Sequence, residues 1–258
     1  IYMSYILLII GFLLLIKGAD SFVSGSSSIA RIFKVPSLII GLTIVAFGTS
    51  APEAAVSITA ALKGNNDMAI ANAVGSNIFN LLLVVGVSSI INPIKVQKST
   101  IIKEFPFAIL ASIVLMILAH DTKFQGYDTN LLTRADGLML LSLFIIFMYY
   151  LIEMAITSKE ESILLSILGI LGIIIGGNIV VNSASNIALS LGMSQNLVGL
   201  TIVAVGTSLP EFVTSIIAAR KGESDIAIGN VVGSNLFNIL FVLGLSSTIS
   251  NIQIHPIV

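Results

Sequence analysis

GLTIVAFGTSAPE runs from Gly41 to Glu53, and GLTIVAVGTSLPE runs from Gly199 to Glu211. The match continues downstream: KGNNDMAIANAVGSNIFN from Lys63 to Asn80 returns as KGESDIAIGNVVGSNLFN from Lys221 to Asn238. From Gly41 to Gly86 most positions match at one fixed offset without a gap. Shared apolar composition would produce scattered Leu and Ile matches. It would not bring Gly, Thr, Ser, Pro, Glu and Asn into register, so the chain contains an internal repeat.

The rest of the sequence says where the repeat lives. Of 258 residues, 56% are hydrophobic and only 10% are charged, against about 25% charged in an average soluble domain. Apolar stretches close to the ~20 residues that cross a bilayer recur along the chain. They place eight spans at 4–25, 37–62, 68–91, 102–119, 134–155, 162–187, 196–219 and 225–248. Every element is expected to be a helix, because lipid-exposed backbone must satisfy its own hydrogen bonds. The first apolar block, Tyr5 to Ile16, lacks a basic leader and is read as a span rather than a signal peptide. There is no cysteine, which excludes disulfides, thiolate chemistry and cysteine-held metals. The near-zero net charge gives no sign of a nucleic-acid partner, and no obligatory protein partner is evident. The expected surroundings are a lipid bilayer.

Lys and Arg concentrate in the loops after spans one, three, five and seven, among them Lys95, Lys98, Arg220 and Lys221. The positive-inside bias then puts those loops in the cytoplasm of a multi-pass cell-membrane protein and the N-terminus outside. The two repeat copies begin in spans two and seven. An odd number of spans separates them, so the second copy crosses the membrane in the opposite sense. Residues 1–155 form the first half and 156–258 the second. Inverted repeats of this kind build secondary transporters, with the site near the midplane where the halves meet.

Glu53 and Glu211 sit near the middle of apolar spans. A carboxylate there costs at least ~2.5 kcal/mol on insertion scales, and such residues mark pathways or binding sites by default. One such Glu could simply be hydrogen-bonded to a neighbouring helix. Two at equivalent repeat positions point to a shared site. Just before each, Pro52 and Pro210 have no N–H to donate to Gly48 and Gly206, and those glycines weaken the helix and permit unusual dihedrals. Each helix should therefore break in mid-membrane, offering freed carbonyls and the hydroxyls of Thr49, Ser50, Thr207 and Ser208. Asn72, Ser76 and Asn80 recur every four residues and share one helix face, as do Asn230, Ser234 and Asn238. Asn77 and Asn235 lie off that face, in packing or supporting hydrogen bonds. Gly75 and Gly233 would allow close helix approach.

Every candidate ligand is an oxygen: carboxylate, hydroxyl, amide or carbonyl. Hard cations prefer that set, and a flexible oxygen cage suits calcium better than octahedral magnesium. Two ionised Glu residues balance one divalent ion or most of the charge of several sodium ions. Competition between those occupancies is what an antiporter needs. Other charges are less informative. Asp20 is expected to pair with Lys17 at i,i+3 or to be interfacial. Asp67 and Asp225 are expected at helix starts, and Glu160 and Glu161 in a solvated loop. His120 and His255 are not expected to bind metal.

At Gly48-Thr-Ser-Ala-Pro-Glu53 and Gly206-Thr-Ser-Leu-Pro-Glu211 the sequence resembles the cation/calcium antiporter superfamily, and within it the prokaryotic sodium/calcium exchangers. The resemblance covers nearly the whole chain. It implies an all-α membrane protein of ten helices with two inverted repeats, against the eight spans read here, and hence a chain two helices short at its end. It implies Ca2+ and Na+ as transported ions, with no cofactor. It implies metal ligands at Glu53, Glu211, Thr49, Ser50, Thr207, Ser208, Ser76 and Ser234. The backbone carbonyls of Ala46 and Ala204 would join them, and Asn80 and Asn238 match a central polar pair. Family members often carry Asp at one position of that pair, whereas both are Asn here. It further implies that spans one and six slide against the rest to alternate access.

Sodium-driven calcium exchange is therefore the leading reading. Its closest rival is a cation/proton exchanger using the same glutamates. A channel would need an open path and no counter-ion. An enzyme is not expected, since no paired His motif and no nucleophile with a neighbouring base is present.

Overall fold

A computed structural model describes residues 2–33, 35–155, 163–194, 198, 201–202 and 204–254. The chain is helical almost throughout. The first helix, α1, spans Tyr2–Phe33. It is followed by α2 (Ser37–Thr49) and α3 (Ala51–Leu62), which meet at a 50° bend, and by α4 (Asn66–Ile91). Next come α5 (Lys98–Ile102), α6 (Glu104–Leu118) and the short α7 (Asp121–Phe124). The long helices α8 (Arg134–Ala155) and α9 (Ile163–Ser190) lead into the second repeat. That repeat contains α10 (Ala204–Thr207), α11 (Leu209–Arg220) and α12 (Ser224–Ile249).

Among the described residues six helices are long and apolar enough to cross a membrane, and the bent pair α2–α3 makes a seventh. The seventh expected span, 196–219, lies partly outside the described residues, which is why the count falls short of eight. The helix α1 runs well past the expected end at residue 25. Its polar small residues continue the helix because Ser26, Ser27, Ile29 and Ala30 pack inward.

The expectation of helices alone is corrected at one place. Strands β1 (Asn130–Leu132) and β2 (Ile252–Ile254) pair antiparallel, with Leu131 opposite Gln253. Asp121, only 4% exposed, organises the approach to β1 by accepting from the Leu131 N–H at 2.8 Å and from Gln125 Nε2 at 2.7 Å. The strand pair ties the start of α8 to the end of α12, and those two helices pack along each other. Nearby, Asn66 at the start of α4 donates to the Asn251 carbonyl at 2.7 Å.

Glycine determines how closely the helices approach. A methyl group added to Gly229 on α12 would lie 2.7 Å from the Leu38 carbonyl oxygen and 2.8 Å from Gly41 Cα. A methyl on Gly233 would lie 2.6 Å from both Ala46 Cβ and the Leu42 carbonyl oxygen, as expected of a contact glycine. For its mate Gly75 no neighbour lies within reach among the described residues, and the positions equivalent to those Gly233 contacts fall largely outside them. The reading of Gly48 and Gly206 changes. The left-handed glycines among the described residues are Gly64, Gly126, Gly192 and Gly222. Gly48 and Gly206 instead clear space: Gly48 faces Ile170 and Phe22, and Gly206 faces Val181. They let the broken helices lie against α1 and α9. Those two in turn pack tightly on each other, with Gly18 against Gly172 and Gly169 against Phe22.

Asp20 does not pair with Lys17. It pairs with Lys221 at 2.8 Å, a contact between α1 and the loop after α11. A partner far along the chain displaces the local i,i+3 pairing. Asp67 and Asp225 lie in the first turns of α4 and α12, as expected of helix starts. Glu160, Glu161 and His255 lie outside the described residues. His120 Nδ1 lies 2.7 Å from the Met116 carbonyl oxygen.

Candidate cation site

The two broken helices meet at their breaks. Ser50 has φ −83° and ψ 6°, and Ser208 has φ −89° and ψ 4°, so both sit between helical and extended geometry. Pro52 and Pro210 occupy the first turn of the helix that follows, where a missing N–H costs nothing. Glu53 and Glu211 lie in those same first turns, at the helix ends where backbone N–H groups favour negative charge. The Ala46 carbonyl is not freed by the break. It accepts the Ser50 N–H at 2.9 Å and is also reached by Thr49 Oγ1 at 3.2 Å and Ser234 Oγ at 3.5 Å. Ala204, four residues before the break at Ser208, is the repeat mate of Ala46.

Each serine at a break serves the other repeat. Ser50 Oγ donates to Glu211 Oε1 at 2.7 Å, and Ser208 Oγ donates to Glu53 Oε1 at 3.0 Å. Ser76 Oγ lies 2.9 Å from Ser208 Oγ, and Ser234 Oγ lies 3.5 Å from Glu211 Oε1. The threonines cross over in the same way. Thr49 Oγ1 reaches Asn230 Oδ1 at 2.9 Å, and Thr207 Oγ1 reaches Asn72 Oδ1 at 3.4 Å. The exchange of partners between halves is the signature of a two-fold relation between inverted copies.

Asn72 and Asn230 brace the helix turns that carry the acids. Asn72 Nδ2 donates to the Glu53 carbonyl at 3.2 Å and to Ser57 Oγ at 2.9 Å. Asn230 Nδ2 donates to the Glu211 carbonyl at 3.3 Å and to Ser215 Oγ at 2.9 Å. Ser57 and Ser215 did not figure among the expected site residues. The available signal was a serine four positions after each Glu, on the same helix face.

The amides around positions 77–80 and 235–238 interlock across the repeats. Asn80 Nδ2 donates to Asn235 Oδ1 at 3.2 Å, Asn238 Nδ2 to Asn77 Oδ1 at 3.1 Å, and Asn77 Nδ2 to the Asn235 carbonyl at 3.2 Å. Asn77 and Asn235 thus support the pair, as expected. Wide π-helical turns at Asn80–Val84 and Phe237–Leu243 coincide with these residues, a local distortion frequent at functional sites.

Burial makes the chemistry demanding. Glu53, Asn80 and Asn238 are 0% exposed and Glu211 is 1% exposed. In each residue one oxygen has no hydrogen-bond partner: Glu53 Oε2, Glu211 Oε2, Asn80 Oδ1 and Asn238 Oδ1. These acceptors fall into two repeat-related pairs. A buried acceptor without a donor is costly and calls for an explanation. Oxygen acceptors of this kind suit a hard cation. Among the described residues no group of three or more His, Asp or Glu is gathered as a metal cluster. Two carboxylates with neutral oxygens suit an ion that must also leave.

The sequence matches the family described as "Sodium/calcium exchanger protein" over residues 3–153 and 161–258. The chain is 31% identical to sodium/calcium exchanger MaX1 of Methanosarcina acetivorans, over 95% of this chain and 83% of that protein. It is 36% identical to inner membrane protein YrbG of Escherichia coli, over 97% of this chain and 81% of that protein. The fold superposes on the sodium-calcium exchanger NCX_Mj soaked with 10 mM Na+ and zero Ca2+. That match has a TM-score of 0.88 at 34% identity and covers 98% of this chain and 85% of the other. With its inverted repeats, its broken helices and a family match over nearly its full length, the chain belongs to the sodium/calcium exchanger family.

Proposed function

We propose that the protein moves calcium across a cell membrane in exchange for sodium, by alternating access to one site near the midplane. Ca2+ and Na+ are its substrates. The site consists of Glu53 and Glu211, the hydroxyls of Thr49, Ser50, Thr207, Ser208, Ser76 and Ser234, the amide oxygens of Asn80 and Asn238, and the carbonyls of Ala46 and Ala204. The halves meet as 1–155 and 156–258, and the N-terminus lies outside.

The observation that carries this reading is the set of four buried acceptors without donors on Glu53, Glu211, Asn80 and Asn238. The surrounding hydrogen bonds prepare them for a cation. Ser50 and Ser208 spend their hydrogens on carboxylate oxygens, so their lone pairs remain available. The Nδ2 groups of Asn80 and Asn238 are spent on carbonyl oxygens, which leaves Oδ1 as the free end. With both acids ionised, one Ca2+ neutralises the pair, and sodium ions compete for the same oxygens. Loss of either charge leaves one Ca2+ only half balanced.

The test is uptake in proteoliposomes. Glu53→Gln and Glu211→Gln should each abolish sodium-driven calcium uptake while the protein still elutes as a folded species. Normal uptake in both variants would remove the site. The proton-coupled reading uses the same carboxylates and is separated by the gradient. If a pH gradient moves calcium and a sodium gradient does not, proton exchange is the function.

A further inference from the structure

The two ends of the repeat pair are built differently. At one end the loop after α11 is fastened to α1. Lys221 Nζ pairs with Asp20 Oδ1 at 2.8 Å and donates to the Asp20 carbonyl at 2.9 Å and to Ser24 Oγ at 2.6 Å. Two residues on, Glu223 Oε1 accepts from Ser27 Oγ. The recess at this end stops at Ile217 and does not extend to the breaks.

The repeat identifies the opposite end. The offset that relates Glu53 to Glu211 also carries Gly18, Val23, Ser27 and Ile29 of α1 onto Gly176, Val181, Ser185 and Ile187 of α9. In that register Lys221 corresponds to Lys63 and Glu223 to Asn65. Asp20, Ser24 and Ser27 correspond to Asn178, Asn182 and Ser185. The cation is kept and both acids are replaced by amides. Among the described residues no ion pair or hydrogen bond joins Lys63 or Asn65 to Asn178, Asn182 or Ser185. Asn178, Asn182 and Ser185 line a cleft of about 480 Å³ between α9 and α3 that extends to Thr207 and Pro210. Ser185 Oγ is buried with no partner, and Asn65 Nδ2 turns to Met68 Sδ at 3.8 Å.

We propose that Asp20, Ser24, Ser27, Lys221 and Glu223 form a charged latch between α1 and the end of α11, opposed by a neutral and weaker counterpart at Lys63, Asn65, Asn178, Asn182 and Ser185. The resting protein therefore favours the conformation in which the α3–α9 cleft is open and the α1–α11 end is shut. The inference rests on the alternating-access reading. In the opposite conformation the two-fold relation brings Lys63 to Asn178 and Asn182, and Asn65 to Ser185. Those contacts lack the ion pair and the charge-assisted hydrogen bond, which are the stronger kind. An exposed ion pair is weak by itself. The latch is accordingly a bias of several-fold, which leaves the protein free to cycle.

The absence of cysteine makes the test clean. Ala55 lines the open cleft, and its repeat mate Val213 is partly buried on the latched side. Ala55→Cys and Val213→Cys, made separately, are labelled by a maleimide in nanodiscs without sodium or calcium. The ratio of the two rates reads the balance between conformations. Asp20→Asn with Glu223→Asn should raise the Val213→Cys rate relative to the Ala55→Cys rate by about three- to tenfold. Asn178→Asp with Asn65→Glu, which installs the acids on the other end, should shift the ratio the same way. It guards against a first variant that merely fails to fold. A ratio unchanged in both variants, or shifted oppositely by the second, overturns the latch. Absence of sodium-driven calcium uptake in the unaltered protein would sink the exchange reading and leave the labelling ratio standing.

Discussion

Ser50 and Glu53 lie three positions apart in sequence, yet the hydroxyl serves Glu211 and not Glu53. Glu53 is served by Ser208 in return. Losing either hydroxyl removes a hydrogen bond to a charged group and one candidate ion ligand. Ser50→Ala and Ser208→Ala should each raise the calcium concentration for half-maximal uptake by about tenfold, and the two effects should match. Uptake curves that coincide with the unaltered protein, or a large effect from one serine alone, would contradict the reciprocal arrangement. The acids, hydroxyls and amides were legible in the sequence because the repeat printed each of them twice. Their pairing across the halves was not, because a hydrogen bond between residues far apart in sequence leaves no local periodicity. Asp20 makes the same point. Lys17 was the nearest partner in sequence, and Lys221 is the partner in space.

At the scale of helices, glycines that look alike in the sequence meet unequal surroundings. Gly229 on α12 lies against the Leu38 carbonyl and Gly41, whereas at Gly86 on α4 an added methyl meets nothing within 4 Å among the described residues. Gly229→Ala forces backbone against backbone and should destabilise by about 1–3 kcal/mol, read as a lower midpoint in thermal unfolding. Gly86→Ala should leave the midpoint unchanged or slightly raised, since alanine favours a helix. Equal midpoints for the two variants would show that the close α2–α12 crossing is not held by that glycine. Spans and breaks were legible from apolar length and from proline. The strand pair was not, since Asn130–Leu132 and Ile252–Ile254 are too short and too far apart to carry a pattern. Nor was the role of Gly48 and Gly206. A glycine kept for clearance and one kept for backbone freedom look the same until the neighbour is seen.

At the scale of the molecule, inversion removes the usual marks of sidedness. Each half presents the same helices to opposite faces, so the fold by itself is compatible with either orientation. What breaks the tie is charge in the loops. Arg220 and Lys221 end the second repeat unit where the first has Leu62 and Lys63, and Lys95 and Lys98 fall on the same face as Arg220. A bias of this kind sets topology during insertion. It predicts that the α3 end, with its open cleft, faces outside. In intact cells Lys63→Cys should react with an impermeant maleimide. Arg220→Cys should react only after the membrane is permeabilised. The reverse pattern would turn the protein over and place the latch outside. It would leave the proposed ion site unchanged, because that site draws its oxygens from both inverted halves.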